Sequence, residues 1–427
     1  MHKAQQLAAG VVGQVLSGRN LGVVLEAIFR GAPELTQQQR ALVQDLSYGT
    51  LRFYGELQAV LALLLKKPLQ SEKLHHLLLV ALYQLRHGKI SAHTVVNQAV
   101  QAADFIKKPW AGGLVNAVLR NFLRLQDALL QQVSSSETAL YSYPQWWIDK
   151  LKSQYPLQWQ SMLQAGNAHP PMTLRINRRK TNVDDYLTRL AEAGLDASSL
   201  GREAIILKQP LPVDRVPGFH EGLVSVQDYG AQLAAHLLQP EDGMEVLDAC
   251  CAPGGKTGHI LETADVQMTG LDNDTQRLQR VESNLQRLDL KANLMVGDAA
   301  EPETWWDGQP FDRILADVPC SASGIVRRHV DIKWLRRESD VEAFASQQAA
   351  ILDALWRLLA KDGKLLYATC SVFHEENQQQ IDRFLKTHAD ARQTALPELL
   401  NNYQQQNGQL RPCAEHDGFF YAILQKV

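Results

Sequence analysis

The chain has 427 residues, of which 45% are hydrophobic and 21% charged, and a formal net charge of -3. That apolar fraction excludes a mainly disordered chain, and the length predicts two or three domains. No apolar run reaches the roughly 18 residues of a membrane helix, and the opening MHKAQQLAAGVVGQVL lacks the core and cleavage site of a secretory signal. Five cysteines, an odd number with four between 250 and 370, make no disulfide framework and predict a reducing, cytoplasmic compartment.

The net charge hides an asymmetry. Residues 1–130 carry 14 Lys/Arg against 7 Asp/Glu, residues 131–240 carry 10 of each, and residues 241–427 carry 19 against 29. A basic module joined to an acidic one suits a polyanionic partner such as nucleic acid, because phosphate contacts are sequence-independent and charge-driven. The alternative is a solvated helical surface rich in Lys and Arg.

In chain order, residues 1–130 predict a bundle of five to seven helices. Apolar residues recur at three and four in 57–67, 74–88 and 95–106, with breaks at Gly18, Pro33, Pro68, Gly88, Pro109 and Gly112–Gly113. The polar stretch 131–143 predicts a linker. Residues 144–240 predict a small α+β module, with strands at 172–177 and 204–209 and a helix at 184–194 between them. From 241 to 427 strands and helices alternate. The strands are expected at 244–250, 266–272, 292–298, 312–318 and 363–370, the crossover helices include 276–288 and 342–360, and a late strand, 419–426, is expected to pair antiparallel. Near-continuous apolar strands suit a parallel sheet covered on both faces, so this part predicts a doubly wound α/β domain.

The first strand of that domain runs into Cys250-Cys251-Ala252-Pro253-Gly254-Gly255-Lys256 and then a helix. Glycines let backbone approach a ligand, and a helix N-terminus favours an anionic group. The P-loop pattern needs glycine where Cys250 stands, and the G-x-G-x-x-G pattern is absent. Asp272 ends the second strand, where an acid binds ribose hydroxyls, and Asp298 ends the third, within reach of an adenine amino group. This layout fits S-adenosylmethionine. Each aspartate taken alone is equally a cap or turn residue.

The fourth strand runs into Asp317-Val318-Pro319-Cys320, and the fifth ends at Cys370. Ligands bind outside the carboxyl ends of such strands, so both cysteines are expected at the same crevice. A free cysteine is commonly just a small buried hydrophobe. The chemistry that needs one is methylation at C5 of cytosine: a thiolate adding to C6 makes C5 nucleophilic toward a methyl sulfonium, with an acid at N3 and a second group for release. A thiol with a pKa of about 8.5 gains from nearby positive charge. In the basic run 327–337, Arg327, Arg328 and Lys333 are candidates for RNA-backbone contacts, against the reading of a solvated surface.

These residues resemble the bacterial RNA (cytosine-C5)-methyltransferases of the Sun/Fmu group over essentially the whole chain. The resemblance is carried by CCAPGGKT, DVPCSASG followed by RRHVDIKW, YATCSVFHEEN and GLVSVQDYGAQLAA. The N-terminal region, with ALVQDLSYGTLR and GGLVNAVLRN, is similar to the helical RNA-binding domain of the transcription antitermination factor B of the Nus system. The resemblance implies a Rossmann-like S-adenosylmethionine methyltransferase domain with a helical RNA-binding bundle and a middle module completing the RNA groove. It implies that Cys250 to Lys256 hold the methionine end of the cofactor, Asp272 the ribose and Asp298 the adenine region. Asp317 is implied to lie between cofactor and base, near N3.

The resemblance further implies Cys370 as nucleophile and Cys320 as the group that assists release. Residue chemistry alone leaves that choice open, and the Pro-Cys pattern of DNA cytosine methylases favours Cys320. The expected substrate is a cytosine of small-subunit rRNA, the expected state a monomer, and no metal site is predicted. The alternatives are the same chemistry on tRNA or large-subunit rRNA, or a non-catalytic RNA-binding assembly factor. Two positions depart from the family pattern: Cys251 replaces an alanine, and Val330 replaces a proline.

Overall fold

The computed structural model describes residues 1–104, 110–397 and 407–427. Residues 105 and 106 of the helix expected at 95–106, and the break at Pro109, lie outside the described residues. The chain divides into two compact units, Met1–Ala168 with Val326–Arg337 and His169–Ile325 with Glu338–Val427.

The first unit is all helical. Helices His2–Leu16, Leu21–Gly31, Gln37–Arg52, Tyr54–Leu64, Glu72–His87, Ala92–Ala103 and Ala111–Val133 fill the region predicted as a bundle. Starts follow local chemistry: Asn20 caps Val23, and Thr36 with Gln39 forms a reciprocal capping box. The buried stripe of helix Glu72–His87, including Leu74, Leu77, Leu78 and Leu82, packs in one core with Val11, Val15, Leu119 and Phe122.

The linker expected at 131–143 is not one. The long helix runs on to Val133, and Glu137–Tyr141 is a further helical turn. Polarity misled because its serines cap and turn the chain while Ala139 and Tyr141 go inward. A Cβ on Gly55 would lie 2.2 Å from the Thr138 carbonyl, so the turn sits directly on helix Tyr54–Leu64. Helices Gln145–Gln154 and Trp159–Asn167, expected in the middle module, belong to this unit as well.

Val326–Arg337 is stitched into the helical unit, which corrects two of the RNA-contact expectations. Lys333 is 0% exposed. Its ammonium donates to the Arg52 carbonyl (2.7 Å), the Ser142 carbonyl (2.9 Å) and Asn167 Oδ1 (2.8 Å), and lies 4.4 Å from the Tyr143 ring centre. Burial, with the Arg52 charge adding to it, holds this amine well below the ordinary lysine range. Arg327 is 1% exposed, and its carbonyl accepts from Arg52 Nη2 at 3.0 Å. Neither side chain faces a phosphate backbone. Asp331 accepts from Asn20 Nδ2 and the Leu21 amide, Trp334 Nε1 donates to the Leu51 carbonyl at 2.7 Å, and Val330 is buried in the helical core. A basic run reads as solvated surface in sequence, but the interspersed Val330, Trp334 and Leu335 dock it here.

The second unit begins with a four-stranded antiparallel sheet. Strands β1 (Met172–Ile176), β2 (Ala197–Gly201), β3 (Ala204–Leu207) and β4 (Val224–Val226) lie in the order β2-β3-β1-β4. Helix Val183–Glu192 buries Tyr186 and Leu190 against them.

The larger sheet contains β5 (Glu245–Asp248), β6 (Gln267–Asp272), β7 (Asn293–Val296), β8 (Phe311–Asp317), β9 (Leu359–Thr369), β10 (Ala391–Thr394) and β12 (Phe419–Lys426), in the order β10-β12-β9-β8-β5-β6-β7; β11 (Gln409–Leu410) pairs with β12. Strands β9, β8, β5, β6 and β7 are mutually parallel, and β12 runs antiparallel to β9, as expected. Helices Gly255–Thr263, Thr275–Leu288 and Glu338–Leu358 are the crossovers. Apolar clusters on both faces of this sheet include Val246, Leu315 and Leu366 on one and Leu247, Ile314 and Leu365 on the other. That two-sided burial is why the strands read as apolar runs. Among the described residues no helix is long and apolar enough to cross a membrane.

Candidate active site

The strand order reverses around β5, and the loops that follow β5, β6, β7, β8 and β9 open on one crevice. The loop after β5 turns at Gly254, whose φ of +91° lies in the left-handed region and where a Cβ would come within 3.0 Å of Val281. Helix Gly255–Thr263 starts there. It is anchored from β1 by Arg175, which is fully buried. This guanidinium bonds both oxygens of Glu262 (2.9 and 2.8 Å) and donates to the Gly255 carbonyl at 2.6 Å. An arginine inside the alternating strand MTLRI was the only sequence sign of that anchor.

A crevice of about 230 Å³ is lined by Cys250, Ala252, Asp272, Asp298, Asp317, Cys320 and Cys370, together with Asn273, Arg277 and Gln347. Seven predicted residues thus converge. Asp272 is buried at the end of β6. Its carboxylate accepts from the amides of Ala252 (3.2 Å) and Asp274 (3.1 Å), and Arg277 approaches it at 3.3 Å. Asp298 is exposed and accepts from the Ala300 amide at 2.8 Å. Lys256 makes an ion pair with Asp317. Burial works against its charge, but the Asp317 carboxylate outweighs it and raises this amine above its ordinary value.

Cys251, Pro253, Gly254, Gly255 and Lys256 do not line the crevice. Cys251 is buried in the core, its Sγ 3.3 Å from where a Cβ on Gly270 of β6 would stand. The two glycines shape the turn instead. Burial, followed by the charges of Asp317, Asp248 and Asp272, pushes the Cys250 thiol well up, so it stays protonated. Asp248 behind the loop accepts from Thr257 Oγ1 at 2.7 Å, and burial raises its carboxyl to about 7.

The two strand-end cysteines face each other, Cys320 Sγ 3.4 Å from Cys370 Sγ. The hydrogen bond with Cys370 and then burial push the Cys320 thiol well above its ordinary value. Beneath them is a buried polar network that motif reading did not assign. Glu376 Oε1 accepts from the Ser321 amide (2.6 Å), Oε2 accepts from the hydroxyls of Ser321 and Ser371, and Gln348 Nε2 donates to the Pro319 carbonyl at 2.9 Å. Ser323 Oγ accepts from the Val372 amide at 2.9 Å, and Thr369 Oγ1 donates to Asn377 Oδ1 at 2.6 Å. The serines, glutamate and asparagine of PCSASG and TCSVFHEEN therefore splice the loops after β8 and β9 into one rigid piece. Gly324 is required at their junction, since a Cβ there would lie 2.2 Å from the Gly418 carbonyl.

Burial tends to raise the Cys413 thiol, but the hydrogen bond and charge of the neighbouring His416 bring it below the ordinary value.

The crevice suits S-adenosylmethionine on donor chemistry: a buried carboxylate at β6 for hydroxyls and a second acid after β7. Comparison with known proteins agrees. The family described as 16S rRNA methyltransferase RsmB/F matches residues 235–425, its ferredoxin-like domain matches 143–214, and the NusB family matches 2–124. The chain is 43% identical over 432 residues to the ribosomal RNA small subunit methyltransferase B of Serratia proteamaculans (strain 568), covering 100% of this chain and 99% of that one. It is 44% identical over 431 residues to the protein of the same name from Vibrio vulnificus (strain YJ016), covering 98% of each. The solved structure of PH0851 covers 100% of this chain with a TM-score of 0.79 at 23% identity, and NSun6 from Pyrococcus horikoshii with SFG covers 67% with a TM-score of 0.60 at 19% identity, likenesses of fold alone. On full-length identity to these relatives, the chain belongs to the 16S rRNA methyltransferase RsmB/F family.

Proposed function

We propose that the protein transfers a methyl group from S-adenosylmethionine to C5 of a specific cytosine in 16S rRNA, through a covalent bond between Cys370 and C6 of the base. The observation that carries this reading is the convergence of Cys370, Cys320 and Asp317 at one crevice with Asp272 and Asp298. S-adenosylmethionine, when bound, supplies an electrophilic methyl group. Asp272 would hold its ribose, Asp298 would lie toward its adenine, and Cys250 and Ala252, the two residues of the loop after β5 that line the crevice, would face its methionine end.

Cys370 Sγ adds to C6, and Asp317, oriented by Lys256, serves the base at N3. The C5–methyl bond would form as the donor's methyl–sulfur bond breaks, the C5 proton would pass to water in the crevice, and the C6–sulfur bond would break as the C5–C6 double bond returns, restoring the Cys370 thiolate. Cys320, which keeps its proton while paired with Cys370, assists this release. The helical unit binds and orients rRNA, with Arg328 the remaining candidate of the basic run. The protein acts in the cytoplasm, a reading supported by its five free cysteines, and is expected to act as a monomer.

The test is methyl transfer from labelled S-adenosylmethionine to deproteinised 16S rRNA, with large-subunit rRNA and tRNA alongside. Label confined to one small-subunit cytosine is the expected result. Label in tRNA or large-subunit rRNA alone overturns the substrate assignment.

A further inference from the structure

We infer that Glu203, His236 and His259 form a site for one divalent transition-metal ion, with zinc the best match. Glu203 lies in the turn between β2 and β3, His236 on helix Tyr229–Leu238 and His259 on helix Gly255–Thr263. Their ligating atoms all lie within 4.8 Å of one another. Zinc bonds of about 2.0–2.2 Å at a tetrahedral centre put ligand atoms roughly 3.3–3.6 Å apart, so the widest-spaced pair has to close by about an ångström when the ion binds. His236 Nε2 is already 2.9 Å from Glu203 Oε2, and the two imidazoles meet edge to face, with ring centres 5.1 Å apart.

The independent sign of a ligand is His259. It is 1% exposed, and neither of its ring nitrogens has a hydrogen-bond partner among the described residues. A buried polar group left unpaired is destabilising, and its retention calls for an explanation. An ion accepting the lone pair of one nitrogen supplies it.

The surrounding charges are compatible with a cation. Arg175 is held by both oxygens of Glu262. Arg178, which approaches Glu203 Oε1 at 3.1 Å, has a 57% exposed side chain and can withdraw to solvent. Two imidazole nitrogens and one carboxylate oxygen select zinc-like ions over magnesium or calcium, which prefer all-oxygen shells, and leave a fourth position for water. The ion would tie the turn of the small sheet to two helices of the methyltransferase domain. No Cys/His spacing announces it, because each ligand comes from a different element.

The full chain is stripped with a chelator, dialysed and titrated with zinc while metal content and the unfolding temperature are followed. The same titration on a Cys320→Ala/Cys370→Ala variant removes the paired thiols as competitors. The expected result is one equivalent of zinc per chain in both proteins, with a rise of several degrees in unfolding temperature, and loss of both in Glu203→Gln/His236→Gln. Cobalt substituted for zinc is expected to give weak visible bands without a thiolate charge-transfer band. No retained zinc and no thermal shift in the unmutated chain overturns the proposal. So does a thiolate band with cobalt, which locates the ion at cysteine; these two readouts decide the matter even if the double variant fails to fold.

Discussion

Cys320 Sγ and Cys370 Sγ stand 3.4 Å apart across the ends of neighbouring parallel strands. The β8–β9 register, with Asp317 opposite Ala368, brings the two sulfurs to the same level, and the Glu376 network beneath holds them there. One thiol with its proton held and a second beside it is the arrangement that addition and release at one base require.

The division of labour between them predicts different failures. Cys320→Ala leaves addition intact and slows release, so turnover falls by about a hundredfold or more. A slow-migrating, denaturant-resistant protein–RNA band on a gel is the expected signature. Its absence, with turnover lost, would assign Cys320 an earlier role.

Glu376→Ala removes the acceptor of one amide and two buried hydroxyls. Each orphaned donor costs roughly 1–3 kcal/mol, and displacement of the cysteine loops by an ångström costs about a hundredfold in rate. Glu376→Gln, which keeps the volume and one acceptor oxygen, is expected to lose less of both. Thermal unfolding and methyl-transfer rates measured on the pair check this.

Lys333→Met deprives the carbonyls of Arg52 and Ser142 of a donor inside the helical unit. We expect a loss of about 3 kcal/mol in denaturant unfolding. The salt dependence of RNA binding by the folded variant should be unchanged, because this amine neutralises no phosphate. A flatter salt slope would restore it as an RNA contact.

Asp248 gives a pH signature. Its carboxyl is raised from an ordinary 3.8 to about 7 by burial, so between those values the folded chain holds a proton that the unfolded chain has released. Stability therefore falls as pH rises through that window, and the penalty is complete above about pH 7. Asp248→Asn should gain on the unmutated protein across the same window and run parallel to it above. Unfolding free energies at stepped pH measure the difference in slope.

Much of this site was legible in the sequence because loops at strand ends carry dense, ordered chemistry. Cys250, Asp272, Asp298, Asp317, Cys320 and Cys370 could be placed at one crevice from strand periodicity and one topological rule. What escaped depended on long-range packing. Arg175 reaches the glycine loop from another sheet, Glu376 supports a loop 55 positions away, and Lys333 is charged yet buried. The stretch 131–143 escaped for the opposite reason: its polar residues form caps and turns, and Val133, Ala139, Tyr141 and Tyr143, scattered among them, carry its packing.

The most direct test of the account uses small-subunit rRNA carrying tritium at C5 of its cytosines. Tritium release to water dependent on S-adenosylmethionine reports replacement of the C5 hydrogen itself. The account predicts release by the unmutated protein, matched by methyl incorporation, and none by Cys370→Ala. Release that persists in Cys370→Ala, or methyl incorporation without release, would contradict it.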